Sequence, residues 1–285
     1  MKINRFDPRK HKYFSLLGDI PNAPDRLHVI GILPNERRPT VAIVGTRKPT
    51  SYGKEVTQTV ATELAKRGVV IVSGLALGVD GIAHRAALEA GGTTIAVLAN
   101  GLPNIYPATH KSLASDIIKS GGAILSEYEP DTGARDYQFL ERNRLVSGLS
   151  DAVIVTEAAT RSGTLSTVAH ALGQGREVFV VPGNITSPLS AGCNELVKQG
   201  AHPLTSYTDV LEIIAPDLLE GQAVLALGDT LLESNIIQLL QSGVRDSDEL
   251  QQKVDSSVSE FTTALTMLEL NGVIRALGGN QWTLR

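Results

Sequence analysis

The sequence predicts an α/β fold, a doubly wound and mostly parallel sheet, with a small helical module after it. Three observations carry that reading. Short, almost wholly apolar, β-branched runs recur at 41–44, 69–72, 94–98, 123–125, 152–155 and 178–181, as expected of strands covered on both faces. Segments of helical period alternate with them, at 55–67, 79–90, 110–120, 142–149, 165–174 and 194–199. After residue 229 the rhythm changes to three closely spaced helices and a hairpin.

Taken in order, residues 1–40 carry Pro8, Pro21, Pro24, Pro34 and Pro39, which interrupt any helical period. Only 27–31 (LHVIG) reads as a strand, so this segment is expected to be an extended lead-in packed on the core. Residues 41–216 form the Rossmann-like domain, with right-handed strand–helix–strand crossovers. Residues 217–228 read as a linker. In 229–285, helices are expected at 231–241, from Ser247, and at 258–270. The last stops at Asn271-Gly272, and a hairpin over 273–277 and 281–284 completes a winged-helix-like pattern.

Composition narrows the function classes. Twenty-six Lys/Arg against thirty Asp/Glu leave a net charge of −4, which argues against a basic coat for nucleic acid but leaves room for a local basic cleft. The charge is uneven: residues 1–40 are net +4, 41–228 net −4 and 229–285 net −4. One cysteine, Cys193, excludes an internal disulfide and a thiolate zinc cluster, and no metal-ligand spacing is present. No signal peptide and no membrane span are recognisable, so a cytoplasmic location is expected.

In an open parallel sheet, ligands bind outside the strand carboxyl ends. The loops expected there are rich in Gly, Ser, Thr and Asn, residue types that present backbone amides and hydroxyls to an anion. They include 45–53 (GTRKPTSYG), 73–78 (SGLALG), 100–107 (NGLPNIYP) and 156–164 (TEAATRSGT). The first loop lacks the dinucleotide fingerprint and the P-loop, since Glu55 stands where a magnesium-binding hydroxyl belongs, so neither NAD nor ATP is expected as a cofactor. The cations are Arg47, Lys48, Arg142, Arg144 and Arg161. Arg142-Asn143-Arg144 is expected to open a helix, with Tyr137 and Phe139 just before it. Guanidinium forks for phosphate beside an aromatic face for a base suit single-stranded nucleic acid. The competing reading pairs these arginines with surface carboxylates such as Glu141. Catalytic constellations are thin: His84 reads as a capping or packing partner of Asp80, and His110, at a helix start after a strand end, is the best placed of the six histidines to act as an acid or base.

Seven blocks in order resemble the DNA-processing protein A family (DprA, also called Smf). They are 41–53 (VAIVGTRKPTSYG), 73–88 (SGLALGVDGIAHRAAL), 96–107 (AVLANGLPNIYP), 121–128 (GGAILSEY), 142–158 (RNRLVSGLSDAVIVTEA), 161–167 (RSGTLST) and 181–201 (VPGNITSPLSAGCNELVKQGA). The tail over 260–282 resembles the winged-helix-like domain that ends many members. The resemblance implies a non-enzymatic protein of natural transformation and recombination. Members bind incoming single-stranded DNA, dimerise through the Rossmann-like domain, and load a RecA-type recombinase on strands coated by single-strand-binding protein. Carried over by motif, the DNA site would use Arg47 and Lys48, Phe139 with Arg142, Asn143 and Arg144, and Arg161 with Ser162, Gly163 and Thr164. Arg47 and Arg144 would hold phosphates, Phe139 would stack a base, and Asn143 with the 162–164 amides would supply directional hydrogen bonds.

Two departures stand out: Leu77 replaces an Arg common in the family, and Leu140 a Pro. The tail helix over 256–271 holds no Lys or Arg, so this module is expected to contact protein instead of DNA. The rival class is a nucleotide-sensing or nucleotide-hydrolysing Rossmann protein. The hydrolase motif P-G-G-x-G-T-x-x-E is not matched by 160–167 (TRSGTLST), which lacks both the paired glycines and the glutamate.

Overall fold

The structure, a computed structural model, describes residues 2–220, 230–254 and 256–284. Its contacts divide the chain into two units, 1–216 and 217–285. The first unit is built on nine strands: β1 (Asn4–Phe6), β2 (Leu27–Gly31), β3 (Thr40–Val44), β4 (Val70–Ser73), β5 (Thr94–Val97), β6 (Ala123–Ser126), β7 (Ala152–Val155), β8 (Glu177–Val180) and β9 (His202–Pro203). They lie in the order β1-β2-β6-β5-β4-β3-β7-β8-β9. Everything from β6 to β9 is parallel, while β2 runs antiparallel to β6 and β1 antiparallel to β2.

The helices between them are α1 (Ser51–Lys66), α2 (Val79–Glu89), α3 (Lys111–Lys119), α4 (Asp136–Gly148), α5 (Thr164–Gly173), α6 (Ala191–Lys198) and α7 (Tyr207–Ile214). Apolar side chains of α4, α5 and α6 cover one face of the sheet, and Leu113, Ala114 and Ile117 of α3 cover part of the other. Both faces are therefore dry, which is why the strands read as continuous apolar runs. The chain leaves β3 toward β4, β5 and β6, then returns to place β7 on the other side of β3. That reversal opens a crevice at the carboxyl ends of β3 and β7, the place where open α/β sheets take their ligands.

The first forty residues do more than lead in. Two segments of them join the sheet as β1 and β2, and Lys12–Leu17 forms a 3₁₀ helix that puts Tyr13, Phe14 and Leu17 into the main core beside Leu145 and Val146 of α4 and Leu149 just after it. The prolines exclude long helices, but a 3₁₀ turn is short enough to fit between them. Helix α4 also differs from expectation. It begins at Asp136, six residues earlier, because Gln138 folds back to accept from the Arg135 N–H at 2.5 Å and satisfies an otherwise open amide.

His84 and Asp80 do not pair. His84 is buried, its Nδ1 lying 2.6 Å from Thr94 Oγ1, and the Thr94 hydroxyl donates to the Ile71 carbonyl. Burial, with smaller contributions from the nearby charges of His110, Arg85 and Arg142, lowers the imidazole pKa to about 3. Cys193 is buried as well, and burial raises its thiol to about 11.

In the second unit, α8 (Asp217–Glu220) occupies the start of the expected linker, and residues 221–228 of that linker lie outside the described residues. Helices α9 (Leu231–Gln241), α10 (Ser247–Val254) and α11 (Val258–Leu270) precede the β10–β11 hairpin (Ile274–Gly278, Gln281–Leu284). Reciprocal caps, Thr230 with Glu233 and Ser257 with Glu260, start α9 and α11. The unit has its own core of Ile236, Ile237, Leu250, Phe261, Leu265 and Leu268. Among the described residues, no helix is long and apolar enough to cross a membrane.

Two outcomes follow for stability. Phe14 is fully buried, so Phe14→Ala is expected to cost about 3–5 kcal/mol in urea unfolding; a change inside about 0.5 kcal/mol would return the segment to the surface. His84 is neutral when folded and takes a proton near 6.5 when unfolded, so unfolded chains bind more protons between about pH 6.5 and about pH 3. Stability therefore falls as pH drops through that window, by up to about 1.4 kcal/mol per unit from this group. His84→Gln should flatten the fall measured between pH 7 and 5.

Candidate nucleic-acid interface

A cleft of about 480 Å³ sits over the crevice between β3 and β7. Its walls come from the loop after β3 (Gly45, Thr46, Arg47), helix α4 (Asp136, Phe139, Leu140, Arg142, Asn143), the loop after β7 with the start of α5 (Arg161, Ser162, Gly163, Thr164, Thr167), and Asp80 from α2. On α4, residues 136, 139, 140 and 143 recur at the i, i+3, i+4, i+7 spacing of one helix face.

Arg142 is the anchor of this cleft. It is 4% exposed, and its Nη1 donates to the carbonyls of Gly74 (2.8 Å), which begins the loop after β4, and of Val97, which ends β5. Burial pushes its pKa down from the ordinary guanidinium value, and the Asp80 charge opposes that. Asp80 in turn accepts from the N–H groups of Gly74 (3.0 Å) and Ala76 (3.3 Å). Burial raises its carboxyl, while Arg142 and the two amides act the other way. Gly74 fits only as glycine, since a Cβ there would lie 2.5–2.7 Å from the Arg142 guanidinium.

A second buried acid holds the opposite wall. Both oxygens of Glu157 accept from Thr50, one from its N–H at 2.8 Å and one from its hydroxyl at 2.7 Å, and the Glu157 carbonyl accepts from the Thr46 N–H at 2.8 Å. The loop that carries Arg47 is thus tied at both ends to the loop after β7. Arg47 itself is exposed and lies over the Phe139 ring, 5.4 Å from its centroid. Tyr106 flanks the same ring at 5.6 Å, half exposed. Asn143 donates to Ser166 Oγ at 2.8 Å, joining α4 to α5. Among the described residues, no group of three His, Cys, Asp or Glu side chains gathers as a metal site.

The model of the DNA recombination-mediator protein A family matches residues 5–215, and that of the DprA winged helix domain matches residues 222–280. The chain belongs to the DNA recombination-mediator protein A family. Protein Smf of Escherichia coli (strain K12) is 41% identical over 274 residues, covering 92% of this chain and 72% of that protein. The DNA processing protein DprA of Bacillus subtilis (strain 168) is 45% identical over 172 residues, 60% of this chain and 58% of that one. Among solved structures, DprA from Streptococcus pneumoniae superposes with a TM-score of 0.67 at 38% identity, covering 75% of each chain. DNA processing protein A from Helicobacter pylori, whose structure is described for its single-stranded DNA binding mode, gives 0.66 at 36% identity over 76% of this chain and 97% of that one.

The DprA motifs read from the sequence do not all converge. Arg47, Phe139, Arg142, Asn143, Arg161, Ser162, Gly163 and Thr164 share the cleft. Lys48 is exposed beside it, outside the lining. Arg144 is not brought to the cleft: two residues beyond Arg142 it has turned about 200° around α4, where its Nη2 meets Glu127 at 2.5 Å. A phosphate at Arg144 would have to displace that carboxylate. The Ser162–Thr164 turn also differs in detail, because the Thr164 N–H is taken by Ser162 Oγ at 3.3 Å. What the turn presents is the positive end of α5 and hydroxyls. Nor does His110 face the cleft as an acid or base: it is buried, with Nδ1 against the Leu75 carbonyl at 2.9 Å.

Sequence reading overlooked Asp80 and Glu157 as organisers of the cleft. Asp80 lies just after the loop that follows β4 and holds its Gly74 and Ala76 amides, while Glu157 lies in the loop that follows β7 and holds the Thr50 amide and hydroxyl. The arrangement predicts that Gly74→Ala, which leaves charge and polarity unchanged, costs about 1–3 kcal/mol in chemical unfolding by displacing the Arg142 guanidinium. A loss below about 0.5 kcal/mol would mean that the guanidinium yields freely and anchors nothing.

Proposed function

We propose that the cleft binds single-stranded DNA, with no bond made or broken, and that the protein serves recombination of incoming strands in natural transformation. The observation that carries this reading is the pairing of an unneutralised guanidinium with an aromatic ring at the sheet's switch point. Arg47 lies over Phe139, and neither Arg47 nor Arg161 has an acid partner among the described residues. Phosphate oxygens suit the two arginines and the positive end of α5, and a base suits the ring faces of Phe139 and Tyr106. In this reading Arg142 acts by holding the cleft in shape, and Arg144 takes no direct part.

The single-stranded DNA named for the Helicobacter pylori relative supports the choice of ligand. Delivery of the strand to a RecA-type recombinase, relief of single-strand-binding protein, and dimerisation through residues 41–216 belong to the same proposal. The winged-helix unit is assigned to protein contact. The exposed hydroxyls of Thr262, Thr263 and Thr266 on α11 each donate to a carbonyl of their own helix, so that face offers methyl groups and no cation. Asp80 supplies no general base, since its carboxylate is buried and occupied by backbone amides. That weighs against the hydrolase reading.

The test is a titration with thymidine mononucleotide, oligothymidylates of increasing length, and duplex DNA. Affinity is expected to rise with strand length and to exceed that for duplex. Arg47→Ala should weaken all sequences alike and flatten the salt dependence by about one phosphate equivalent. Saturation by the mononucleotide with no gain from length would identify a nucleotide sensor instead.

A further inference from the structure

The lining of the cleft holds two exposed guanidinium groups, Arg47 and Arg161, and one exposed carboxylate that pairs with neither. That acid is Asp136, in the first turn of α4. Its carboxylate has no hydrogen-bond or ion-pair partner among the described residues. The other carboxylate and amide oxygens of the lining side chains are taken. Asp80 accepts from the Gly74 and Ala76 amides, and Asn143 Oδ1 accepts from Arg142 Nε at 3.3 Å. Ser162 Oγ, the hydroxyl of the opposite turn, donates to Thr164 Oγ1 at 3.0 Å. Asp136 is therefore a strong acceptor left open in a site otherwise suited to a polyanion.

Its position relative to the aromatic ring matters most. Asp136 stands one turn before Phe139 on the face of α4 that lines the cleft, a spacing that puts the two Cβ atoms about 5–6 Å apart. Helical side chains lean toward the amino end of their helix, which carries the Phe139 ring toward Asp136. A base stacked on that ring turns one of its edges to the carboxylate. The helix dipole favours an acid in this turn, but it would favour one equally at residue 137, outside the lining. Beside phosphates a carboxylate weakens binding by repulsion, so its place in the cleft is explained by what it accepts.

We infer that Asp136 gives the cleft a base preference, accepting on its two oxygens the N1–H and N2–H of a guanine stacked on Phe139. The inference rests on the strand-binding reading above and names the base that this reading leaves open. A carboxylate only accepts, and its two oxygens are spaced for two parallel donors. On the Watson–Crick edge, guanine alone offers two adjacent donors. Adenine and cytosine each set a ring acceptor beside their amine, and thymine sets a carbonyl on either side of its one N–H. Each of those three bases therefore brings a lone pair against the acid. In a single strand these edges are unpaired and open to a side chain. Arg47 and Arg161 are left to the phosphates, which carry no sequence information.

The experiment uses the full chain and abasic dodecamers that carry a single central base, guanine, hypoxanthine, adenine, cytosine or thymine, so that one base alone is offered to the ring. Binding is measured in EDTA, which removes any divalent cation that would bridge acid and phosphate. The wild type should bind the guanine strand about fivefold to tenfold more tightly than the thymine strand, near the lower end of what a bidentate base contact supplies. Hypoxanthine keeps N1–H and lacks the N2 amine, so it should lose most of that gain. In Asp136→Asn, whose fold its unfolding curve verifies, the thymine strand should bind at least as tightly as before and the guanine advantage should disappear. Equal affinities for all five bases in the wild type would overturn the inference. So would an Asp136→Asn variant that strengthens every strand by the same factor, the mark of plain repulsion. Either result leaves the cleft standing if Arg47→Ala still weakens every strand. If Arg47→Ala binds like the wild type, the cleft reading fails, and the base preference fails with it.

Discussion

The cleft depends on one buried guanidinium. Arg142 reaches from α4 to two carbonyls that belong to different strand ends, Gly74 after β4 and Val97 at the end of β5, while Asp80 balances its charge and ties down the same loop through amides. A charge removed from water this completely persists only when offset and hydrogen-bonded; here the Asp80 charge does the first, and backbone carbonyls at two strand ends do the second. The cleft wall is therefore rigid before any ligand arrives. Pre-organisation of this kind reduces the ordering cost of binding a flexible strand.

Three consecutive residues of α4 show how rotation divides labour. Arg142 points into the sheet ends, Asn143 bridges to Ser166 of α5, and Arg144 swings to the far side to meet Glu127. The same helix aims Phe139 at Arg47, with Tyr106 behind it. Opposite α4, Glu157 locks the Arg47 loop through Thr46 and Thr50. Two buried acids and one buried arginine thus build the scaffold, and the exposed arginines of the cleft, Arg47 and Arg161, have no acid partner among the described residues.

A chain of net charge −4 can in this way still hold two exposed guanidinium groups together in one cleft. Total charge governs long-range behaviour; Asp80 and Glu157 are locked onto backbone, so in the cleft itself the exposed charges are Asp136 against Arg47 and Arg161, with the amino end of α5 adding to the positive side. Proximity of aromatic rings and cations at one sheet edge is a product of topology. The loops after β3, β5 and β7 are distant in sequence, and the switch between β3 and β7 is what gathers them.

Much of the fold was legible because its physics is local and periodic. Strands dry on both faces must be apolar throughout, so β2 to β8 appeared within a residue or two, while the short outer strands β1 and β9 carry no such run and were not read; α9 and α11 were found over the same residues as read. The motif blocks likewise brought out Arg47, Phe139 and the 161–164 turn. What sequence alone could not decide was direction. It could not show that Arg142 is a buried strut and Arg144 an ion-paired outlier, because helical phase depends on where α4 begins, and that start is set by the Gln138 cap. Nor could it show that Tyr13 and Phe14 complete the main core, since short 3₁₀ turns between prolines carry no period. The sequence determined which residue types stand at the strand ends, through patterns of burial and loop chemistry. The tertiary structure decided which of them face one another, because that depends on strand order and helix rotation, and neither is written in any local window of the chain.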